Sequence, residues 1–239
     1  MKLAIIGYGK MGHEIEQIAL ERGHQIIVTI DNETEWNDRL GLFLSADVAI
    51  EFSHPSVALS NILRTLEHGV PLVCGTTGWN EELEKIKAVC TDLNGAFFHA
   101  SNYSIGVNLF MAVNRQLSKL MKNHPDYDVV MEEIHHIYKA DAPSGTAITL
   151  AEDILKHSTL KTNWSINLPA KKNELYIQPV RQGNVPGTHT VCWESSIDTI
   201  EIKHTAKGRR GFALGAVIAA EWLKDKKGVY TMTDLLNLK

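Results

Sequence analysis

Short apolar runs alternate with amphipathic segments through the first hundred residues of the chain. The runs are typical of strands buried on both faces of a parallel sheet, and they cover residues 3–6, 26–30, 48–52, 70–74 and 96–100. Met11, Ile15 and Ile18 recur at helical spacing after the first run. Further helices are predicted over residues 56–67 and from a cap at Asn80 to about residue 93. This alternation predicts an α/β fold with a parallel sheet covered by helices.

The pattern changes after about residue 105. Helical periodicity is present over residues 107–121 and 146–155, and a strand-like run lies between them at residues 127–134. Three more strand-like runs follow, over residues 175–180, 188–194 and 199–204. Strands in succession without helices indicate a second domain of the α+β class with a mixed or antiparallel sheet. We expect the apolar helix predicted over residues 212–223 to return to the first domain.

Composition and charge exclude several classes of protein. Of the 239 residues 44% are apolar and 22% are charged, which excludes wholesale disorder. Lysine and arginine number 24 against 28 acidic residues, so no bulk basic field exists for nucleic acid or an anionic membrane, and the expected partner is a small molecule. The three cysteines lack CxxC spacing, and no leader-like or spanning apolar segment is present. These features lead us to expect a cytoplasmic protein.

A glycine-rich turn lies between the first predicted strand and the first predicted helix. It has the spacing of a dinucleotide fingerprint and reads Gly7-Tyr8-Gly9-Lys10-Met11-Gly12. The first glycine permits the tight turn, the second lets a pyrophosphate approach the backbone, and the third lets the helix pack on the strand. The helix start offers unpaired N–H groups to the phosphates. The turn therefore predicts a Rossmann-like dinucleotide site, and the alternative is a glycine-rich turn that binds nothing.

Two residues argue in opposite directions about the cofactor. Asp31 lies 19 residues after Gly12, where its carboxylate would accept hydrogen bonds from the ribose hydroxyls and repel a 2′-phosphate. Lys10, at the helix start, would attract a phosphate. The balance favours NADH, with some use of NADPH.

Two further motifs follow the fourth and fifth strands, at the edge where open parallel sheets bind ligands. They consist of Gly75, Thr76 and Thr77, and of Ala100, Ser101, Asn102 and Tyr103. The first motif offers backbone and hydroxyl groups to a ribose or carboxamide, and the second is placed to line the nicotinamide. Taken alone, each reads equally well as an ordinary turn after a strand.

The most informative segment reads EIHHIYKADAPSGTA and covers residues 133–147. His135, His136 and Lys139 gather protonatable groups at the end of a strand. An imidazole titrates near neutral pH, and a lysine acts as a general acid when burial or neighbouring cations lower its pKa. No further His, Cys or Asp falls at ligand spacing, so we expect no metal.

A helix is predicted to open directly after these groups. Ser144, Gly145 and Thr146 form its start and provide an anion seat of N–H groups and hydroxyls. Proton donors beside a carboxylate seat suit the reduction of an anionic substrate. The alternative interpretation is a polar loop that ends in a helix cap.

Two other segments carry candidate polar chemistry. RQGNVPGTH, residues 181–189, is a turn-rich loop between strands. HTAKGRRGF, residues 204–212, carries bases that would help to hold a dianion or the cofactor phosphates. A solvated helix start or an interdomain linker accounts for the second segment equally well.

These segments together resemble the dihydrodipicolinate reductase (4-hydroxy-tetrahydrodipicolinate reductase) family of bacterial lysine biosynthesis. EIHHIYKADAPSGTA is similar to the family signature E-x-H-H-x-x-K-x-D-A-P-S-G-T-A and matches it at every fixed position. Five further segments also resemble motifs of this family, and they read CGTTG, ASNYSIGVN, EFSHP, RQGNVPGTH and IEIKHTAKGRRGFALGAVIAAEWL. The resemblance therefore spans nearly the whole chain.

The resemblance implies roles for the residues of the signature. His135 would donate or accept a proton, His136 would contact substrate, and Lys139 would protonate the reduced substrate. Ser144, Gly145 and Thr146 would bind one of two substrate carboxylates. Cofactor contacts are implied for the glycine-rich turn, for the motifs after the fourth and fifth strands, and for Arg209 and Phe212.

The resemblance also implies a reaction and an assembly. A reduced nicotinamide would deliver hydride to C4 of a cyclic, conjugated imine dicarboxylate, with loss of its hydroxyl as water. Residues 1–104 and 208–239 would form the dinucleotide-binding domain, and residues 105–207 the substrate-binding and oligomerisation domain. The family is usually a homotetramer built through the sheet of the second domain, so we expect a homotetramer.

Two features depart from the family pattern. The first loop is one residue shorter than the usual G-x-x-G-R-M-G and has Lys10 in place of arginine, which leaves the choice between NADH and NADPH open. The chain is also short, and the missing residues are expected to fall in surface loops, notably between Asp31 and Asp47.

Two other classes compete with this interpretation. Another small Rossmann dehydrogenase, acting on an aspartate-derived aldehyde, would use an acylating cysteine, and none of Cys74, Cys90 and Cys192 lies in a polar, base-flanked segment. A nucleotide-sensing binding protein would need a helix-turn-helix or a basic patch and would have no use for HHxxK.

Overall fold

The computed structural model, which describes residues 1–238, contains two separate β-sheets. The first sheet lies in a unit made of Met1–Ile105 and the C-terminal segment that starts at Arg209, and the second lies in a unit made of Gly106–Gly208. We call them unit 1 and unit 2. No helix of the described residues is both long enough and apolar enough to cross a lipid bilayer.

Unit 1 contains a six-stranded sheet in which all neighbouring strands pair in parallel. Its strands are β1 (Lys2–Ile6), β2 (Gln25–Ile30), β3 (Val48–Glu51), β4 (Leu72–Cys74), β5 (Ala96–His99) and β11 (Gly228–Tyr230). They lie in the order β11-β5-β4-β3-β1-β2, so β2 and β3 flank β1 on opposite sides. Open α/β sheets bind ligands at the carboxyl ends of the strands, at such a reversal of strand order.

Helices cover both faces of this sheet, as the alternating pattern predicted. They are α1 (Lys10–Glu21), α2 (Glu33–Phe43), α3 (Pro55–Glu67), α4 (Leu83–Asp92), α7 (Arg210–Leu223) and α8 (Met232–Leu235). Successive side chains of a strand point to opposite faces. Ile5 therefore joins a buried cluster with α1 and α7, whereas Ala4 and Ile6 join a cluster with α2, α3 and α4.

Two local expectations for unit 1 were wrong. The segment after Asp31, expected as a loop, forms α2, because Asn32 caps that helix by accepting the N–H of Glu35 at 3.0 Å and Trp36 is buried. Asn80 does not cap a helix with its side chain. It opens a short 3-10 turn, Asn80–Glu82, and α4 begins after it without a side-chain cap.

Unit 2 contains a mixed five-stranded sheet, which confirms the α+β class. Its strands are β6 (Asp128–His135), β7 (Asn163–Ser165), β8 (Glu174–Arg181), β9 (Thr188–Glu194) and β10 (Thr199–Thr205), in the order β10-β9-β6-β8-β7. β9 pairs antiparallel with β6 and β10, and β8 pairs parallel with β6 and β7. α5 (Ile105–Met121) and α6 (Gly145–Leu155) contribute to the core on one face of this sheet.

Candidate active site

The glycine-rich turn of unit 1 has the close contacts that its spacing predicted. Gly7 has φ 87°, and a β-carbon there would lie 2.2 Å from the carbonyl oxygen of Phe52. A β-carbon on Gly12 would lie 2.4 Å from the carbonyl oxygen of Gly7. Gly9 precedes α1 and has open space around it, so the main chain there is accessible to a ligand. Lys10 is the exposed first residue of α1, and the neighbouring Met11 is half-buried against the core.

Asp31 is tied to this turn through the main chain. The N–H of Tyr8 donates to Oδ1 of Asp31 at 2.7 Å, and the Tyr8 hydroxyl donates to Glu16. A cleft of about 140 Å³ opens beside Gly7, and Asp31 and Glu33 contribute carboxylates to its wall.

A buried carboxylate at the end of β3 organises the motif after β4. Glu51 accepts hydrogen bonds from the Thr76 hydroxyl at 3.1 Å and from the Cys74 thiol at 3.0 Å. Thr76 is buried, whereas Thr77 is exposed. A β-carbon on Gly75 would lie 2.1 Å from the ring of Phe52. Burial, together with the charge of Glu51, raises the pKa of Cys74 well above its usual value, which argues against a thiolate nucleophile here.

The motif after β5 packs against α7. A β-carbon on Gly215 would lie 1.7 Å from the carbonyl oxygen of Tyr103, so the helix backbone approaches this motif directly. Tyr103 itself is a core residue, and its hydroxyl donates to the carbonyl oxygen of Cys74 at 2.7 Å. Ser101 and Arg209 are exposed. Half-buried positions nearby are Ala100, Asn102 and Phe212. The predicted cofactor residues of unit 1 thus follow the carboxyl ends of β1, β2, β4 and β5 and flank the start of α7, and Tyr103 among them is buried in the core.

Strand register assembles the polar cluster of unit 2. In β6, Glu133 lies opposite His189 of β9, and His135 lies opposite Arg181 of β8. Glu133 and His135 are two positions apart and share the face that α6 covers. The cluster thus depends on the pairing of three strands.

Glu133 is a fully buried carboxylate with donors on both oxygens. Its Oε1 accepts from Nη2 of Arg181 at 3.1 Å, and its Oε2 accepts from the N–H of Ser144 at 2.9 Å. Burial alone would raise the pKa of Glu133, but the hydrogen bonds from Ser144 and the charges of His135 and Arg181 outweigh burial and lower it. Glu133 is therefore ionised at neutral pH and anchors the start of α6 to β6.

Two buried imidazoles lie beside this carboxylate. Nδ1 of His135 is 3.7 Å and Nε2 of His189 is 3.8 Å from Oε2 of Glu133. Burial lowers the pKa of His135, Glu133 opposes this, and Lys139 and Arg181 add to it. Burial also lowers the pKa of His189, to about 4, so this ring is neutral at pH 7. Among the described residues, the Nδ1 atoms of His135, His136 and His189 have no hydrogen-bond partner.

Lys139 lies on the loop between β6 and α6, and Ser144, Gly145 and Thr146 form the start of α6. Nζ of Lys139 contacts both carboxylate oxygens of Asp141, at 2.7 and 2.8 Å. The hydroxyl of Ser144 caps α6 by accepting the N–H of Ala147 at 3.2 Å, and it also lies 3.1 Å from Nε2 of His189. Its polar groups are thus used within the protein. The N–H groups of Gly145 and Thr146 precede the first bonds of the helix and face outward from its end.

Sequence reasoning missed several members of this cluster. It assigned no role to Glu133, Arg181 or His189, although all three lie in quoted segments. Ligand atoms of Glu133, His135 and His189 lie within 4.8 Å of one another, so the fold provides a third ligating side chain that spacing along the chain did not reveal. Both oxygens of Glu133 already accept hydrogen bonds, which accounts for the cluster without an ion.

A parallel sheet with a dinucleotide turn, joined to an α+β unit that carries a buried cluster of histidines around a carboxylate, is the architecture of an NAD(P)H-dependent oxidoreductase of small molecules. Two family models match this chain: dihydrodipicolinate reductase, N-terminus, over residues 1–103, and dihydrodipicolinate reductase, C-terminus, over residues 106–236. The chain belongs to the dihydrodipicolinate reductase family.

Relatives and solved structures agree with this assignment. The 4-hydroxy-tetrahydrodipicolinate reductase of Christiangramia forsetii is 49% identical over 99% of this chain and 98% of its own length. The protein of that name from Methanoregula boonei is 36% identical over 81% of this chain and 76% of its own length. The dipicolinate-bound dihydrodipicolinate reductase of Paenisporosarcina sp. TG-14 shares the fold, with a TM-score of 0.81 at 20% identity over 98% of each chain.

The lowered pKa of His189 predicts a loss of stability in acid. The folded ring titrates near 4 and the unfolded ring near 6.5, so the unfolded chain binds the proton more readily between these values. The contribution of His189 is present above pH 6.5 and is lost as the pH falls toward 4, by about 2 kcal/mol between pH 7 and pH 5. His189→Gln should reduce the difference between the free energies of urea unfolding measured at pH 7 and pH 5.

The exposed His124 provides the control, since His124→Gln should leave that difference unchanged. An equal difference in wild type and His189→Gln would contradict the neutral, buried assignment.

Proposed function

We propose that this chain reduces 4-hydroxy-tetrahydrodipicolinate (dihydrodipicolinate) to tetrahydrodipicolinate with a reduced nicotinamide cofactor, in diaminopimelate and lysine biosynthesis. The observation that carries the proposal is the cluster in unit 2. It places the imidazoles of His135 and His136, the ammonium of Lys139 and the start of α6 at the end of β6 and on the segment that follows it. The family membership supports the same substrate.

The start of α6 is the proposed seat for one substrate carboxylate. Gly145 is exposed, and no side chain lies within 4 Å of a β-carbon built on it, so an anion reaches the helix start freely. The N–H groups of Gly145 and Thr146 and the hydroxyl of Thr146 are the proposed donors. Ser144 acts in this seat by capping the helix and by fixing its start to Glu133.

Lys139 is the proposed proton donor. The hydroxyl at C4 leaves as water to give the conjugated imine, hydride transfer to C4 then supplies two electrons, and the reduced ring takes up one proton to complete the reaction. An ammonium has three N–H bonds, and Asp141 engages Nζ through two oxygens. One N–H therefore remains for the substrate.

The two adjacent histidines have different proposed roles. His135 is 7% exposed and lies beside the ionised Glu133, so it is suited to exchange a proton at a fixed position. His136 is half-buried and begins the loop directly after β6, where we propose that it contacts substrate.

The proposed cofactor is NADH in preference to NADPH. Asp31 and Glu33 place negative charge at the end of β2, where the adenosine ribose would bind, and Arg64 pairs with Glu33 at 2.8 Å and offsets only part of that charge. Lys10 lies at the start of α1 and is proposed to attract the pyrophosphate. The remaining proposed contacts are Gly7, Tyr8, Gly9, Met11, Gly12, Gly75, Thr76, Thr77, Ala100, Ser101, Asn102, Tyr103, Arg209 and Phe212. Such a reaction draws on reduced nicotinamide in the cytoplasm, which is the proposed location.

The proposed reaction and cofactor are tested by the loss of reduced-nicotinamide absorbance. The unstable substrate is generated in the cuvette from pyruvate and aspartate semialdehyde by the preceding synthase. We expect synthase-dependent oxidation with kcat/KM about tenfold or more higher for NADH than for NADPH, since a 2′-phosphate meets like charge at Asp31 and Glu33. Folded protein that binds NADH but oxidises neither cofactor would contradict the proposed reaction. A preference for NADPH would contradict only the role given to Asp31.

Substitution of Lys139 separates catalysis from cofactor binding. Lys139→Ala should lower kcat by about 10²–10⁴-fold, because the reduced ring loses its proton donor, while the Kd for NADH is unchanged. The exposed Lys122, also in unit 2, is the matched control, and Lys122→Ala should retain wild-type turnover. Full activity in Lys139→Ala would refute its assignment as the proton donor.

A homotetramer built through the sheet of unit 2 is part of the proposal. The face of that sheet opposite α6 carries Val130, which is 40% exposed, next to the half-buried Cys192 and Tyr176 on the neighbouring strands. An exposed apolar side chain on a central strand is suited to burial against another copy of the chain.

Light scattering tests this assembly. Wild type should have the mass of four chains, and Val130→Glu should lower that mass because it buries an unpaired charge in the interface. Leu20 is a comparably exposed apolar residue on α1, and Leu20→Glu should leave the mass unchanged. A monomeric wild type would contradict the proposed assembly.

A further inference from the structure

Arg181 is a half-buried cation that pairs with the buried Glu133, and the reaction as proposed assigns it no role. We propose that Arg181 is a positioning residue for the reduction, which holds the Glu133 carboxylate beside His135 and holds the main chain that carries Lys139. This inference rests on the proposed function of the same site. Arg181 touches neither the proposed anion seat nor a reacting atom, so it acts through the groups that it orients.

One guanidinium spans three parts of unit 2. Its Nη2 donates to Oε1 of Glu133 at 3.1 Å and to the carbonyl oxygen of Asp141 at 2.6 Å. Its Nε donates to the carbonyl oxygen of Lys139 at 3.4 Å, and its Nη1 donates to the carbonyl oxygen of Val180 at 3.0 Å. The side chain thus joins the end of β8 to the middle of β6 and to the loop that follows β6.

These contacts fix the positions of His135 and Lys139, the two side chains proposed to carry protons. Glu133 lies 3.7 Å from Nδ1 of His135, and only Arg181 donates to its Oε1 among the described hydrogen bonds. Arg181 also holds the carbonyl oxygens of Lys139 and Asp141, which lie on either side of residue 140. These two hydrogen bonds fix the main chain of the loop and therefore the position of the Lys139 Cα atom. Loss of the guanidinium would leave a buried carboxylate oxygen unpaired and would release this loop from β8.

The contacts require an arginine in particular. Three nitrogen atoms of one planar group donate in three directions, which an arginine provides and a lysine ammonium at the end of a flexible chain does not. Lysine would retain the positive charge near Glu133 but would lose the anchors of the loop. The two properties of Arg181, its charge and its geometry, are therefore separable by substitution.

Arg181→Lys tests the geometry. We expect kcat to fall about 10–100-fold while the KM for NADH is unchanged, since NADH is proposed to bind unit 1. The pH dependence of kcat/KM should keep its wild-type midpoints, because the charge near His135 is retained.

Arg181→Met tests the charge as well. His135 is faced by Glu133 on its own strand, by Arg181 on β8, by His189 on β9, and by Lys139 and Asp141 on the loop. Removal of one cation from this set favours the protonated ring. The midpoint assigned to His135 should therefore move to higher pH in Arg181→Met, in addition to the fall in kcat.

The control and the deciding outcomes use the same assay. Arg115 pairs with Asp153 at 3.2 Å on the helices of unit 2, and Arg115→Lys and Arg115→Met should retain wild-type kcat and pH dependence. If wild type reduces the substrate and Arg181→Lys, verified as folded by circular dichroism, matches its kcat, the positioning role is wrong. The role is also wrong if Arg115→Lys and Arg181→Lys lower kcat to the same extent and lower the melting temperature to the same extent. That result would show that the loss of activity reflects a loss of stability alone. If wild type itself is inactive, the proposed function fails instead.

Discussion

The ion pair of Glu133 with Arg181 is the interaction on which unit 2 depends. A fully buried carboxylate is unfavourable unless each oxygen is paired, and here Arg181 satisfies one oxygen and the N–H of Ser144 satisfies the other. The two donors come from β8 and from the start of α6, whereas the acceptor lies on β6. One charged group therefore defines the relative position of two strands and a helix start.

The chemistry of unit 2 follows from that arrangement. Because Ser144 gives its N–H to Glu133 and its hydroxyl to Ala147, the start of α6 is fixed where Gly145 and Thr146 face outward. Burial keeps His189 neutral, so within residues 1–238 the charges in direct contact with Glu133 at neutral pH come from Arg181 and from His135 when it is protonated. His135, His189 and the start of α6 are thus all held beside the Glu133 carboxylate.

Unit 1 depends on a different constraint, the close approach of backbones. The turn at Gly7, the ring of Phe52 against Gly75, and the contact of Gly215 with Tyr103 leave no room for a β-carbon. Glu51 adds a buried acceptor that joins the ends of β3 and β4 through Thr76 and Cys74. These contacts bring the ends of four parallel strands and the start of α7 to one edge, as a dinucleotide site requires.

The sequence alone determined the fold class, the family and the residues of the chemical signature. Periods of two and of 3.6 residues are local properties, and so are the glycine turn and the HHxxK segment. A local signal for α2 is also present, since Asn32 precedes Glu35 at the spacing of a helix cap. The family resemblance indicates only that residues are missing from this segment, so it does not predict the helix.

Only the tertiary structure decided how side chains far apart in sequence pair. Glu133 and His189 are 56 residues apart, and strand register, which no local pattern specifies, places them opposite each other. The pairing of β6 with β8 brings Arg181 to the Glu133 carboxylate, and tertiary packing likewise directs the hydroxyl of Tyr103 into the core of unit 1 and gives Ser144 its contacts with Glu133 and Ala147. Sequence spacing determines which groups are available, whereas burial and hydrogen bonding in the folded chain determine which of them remain free to react.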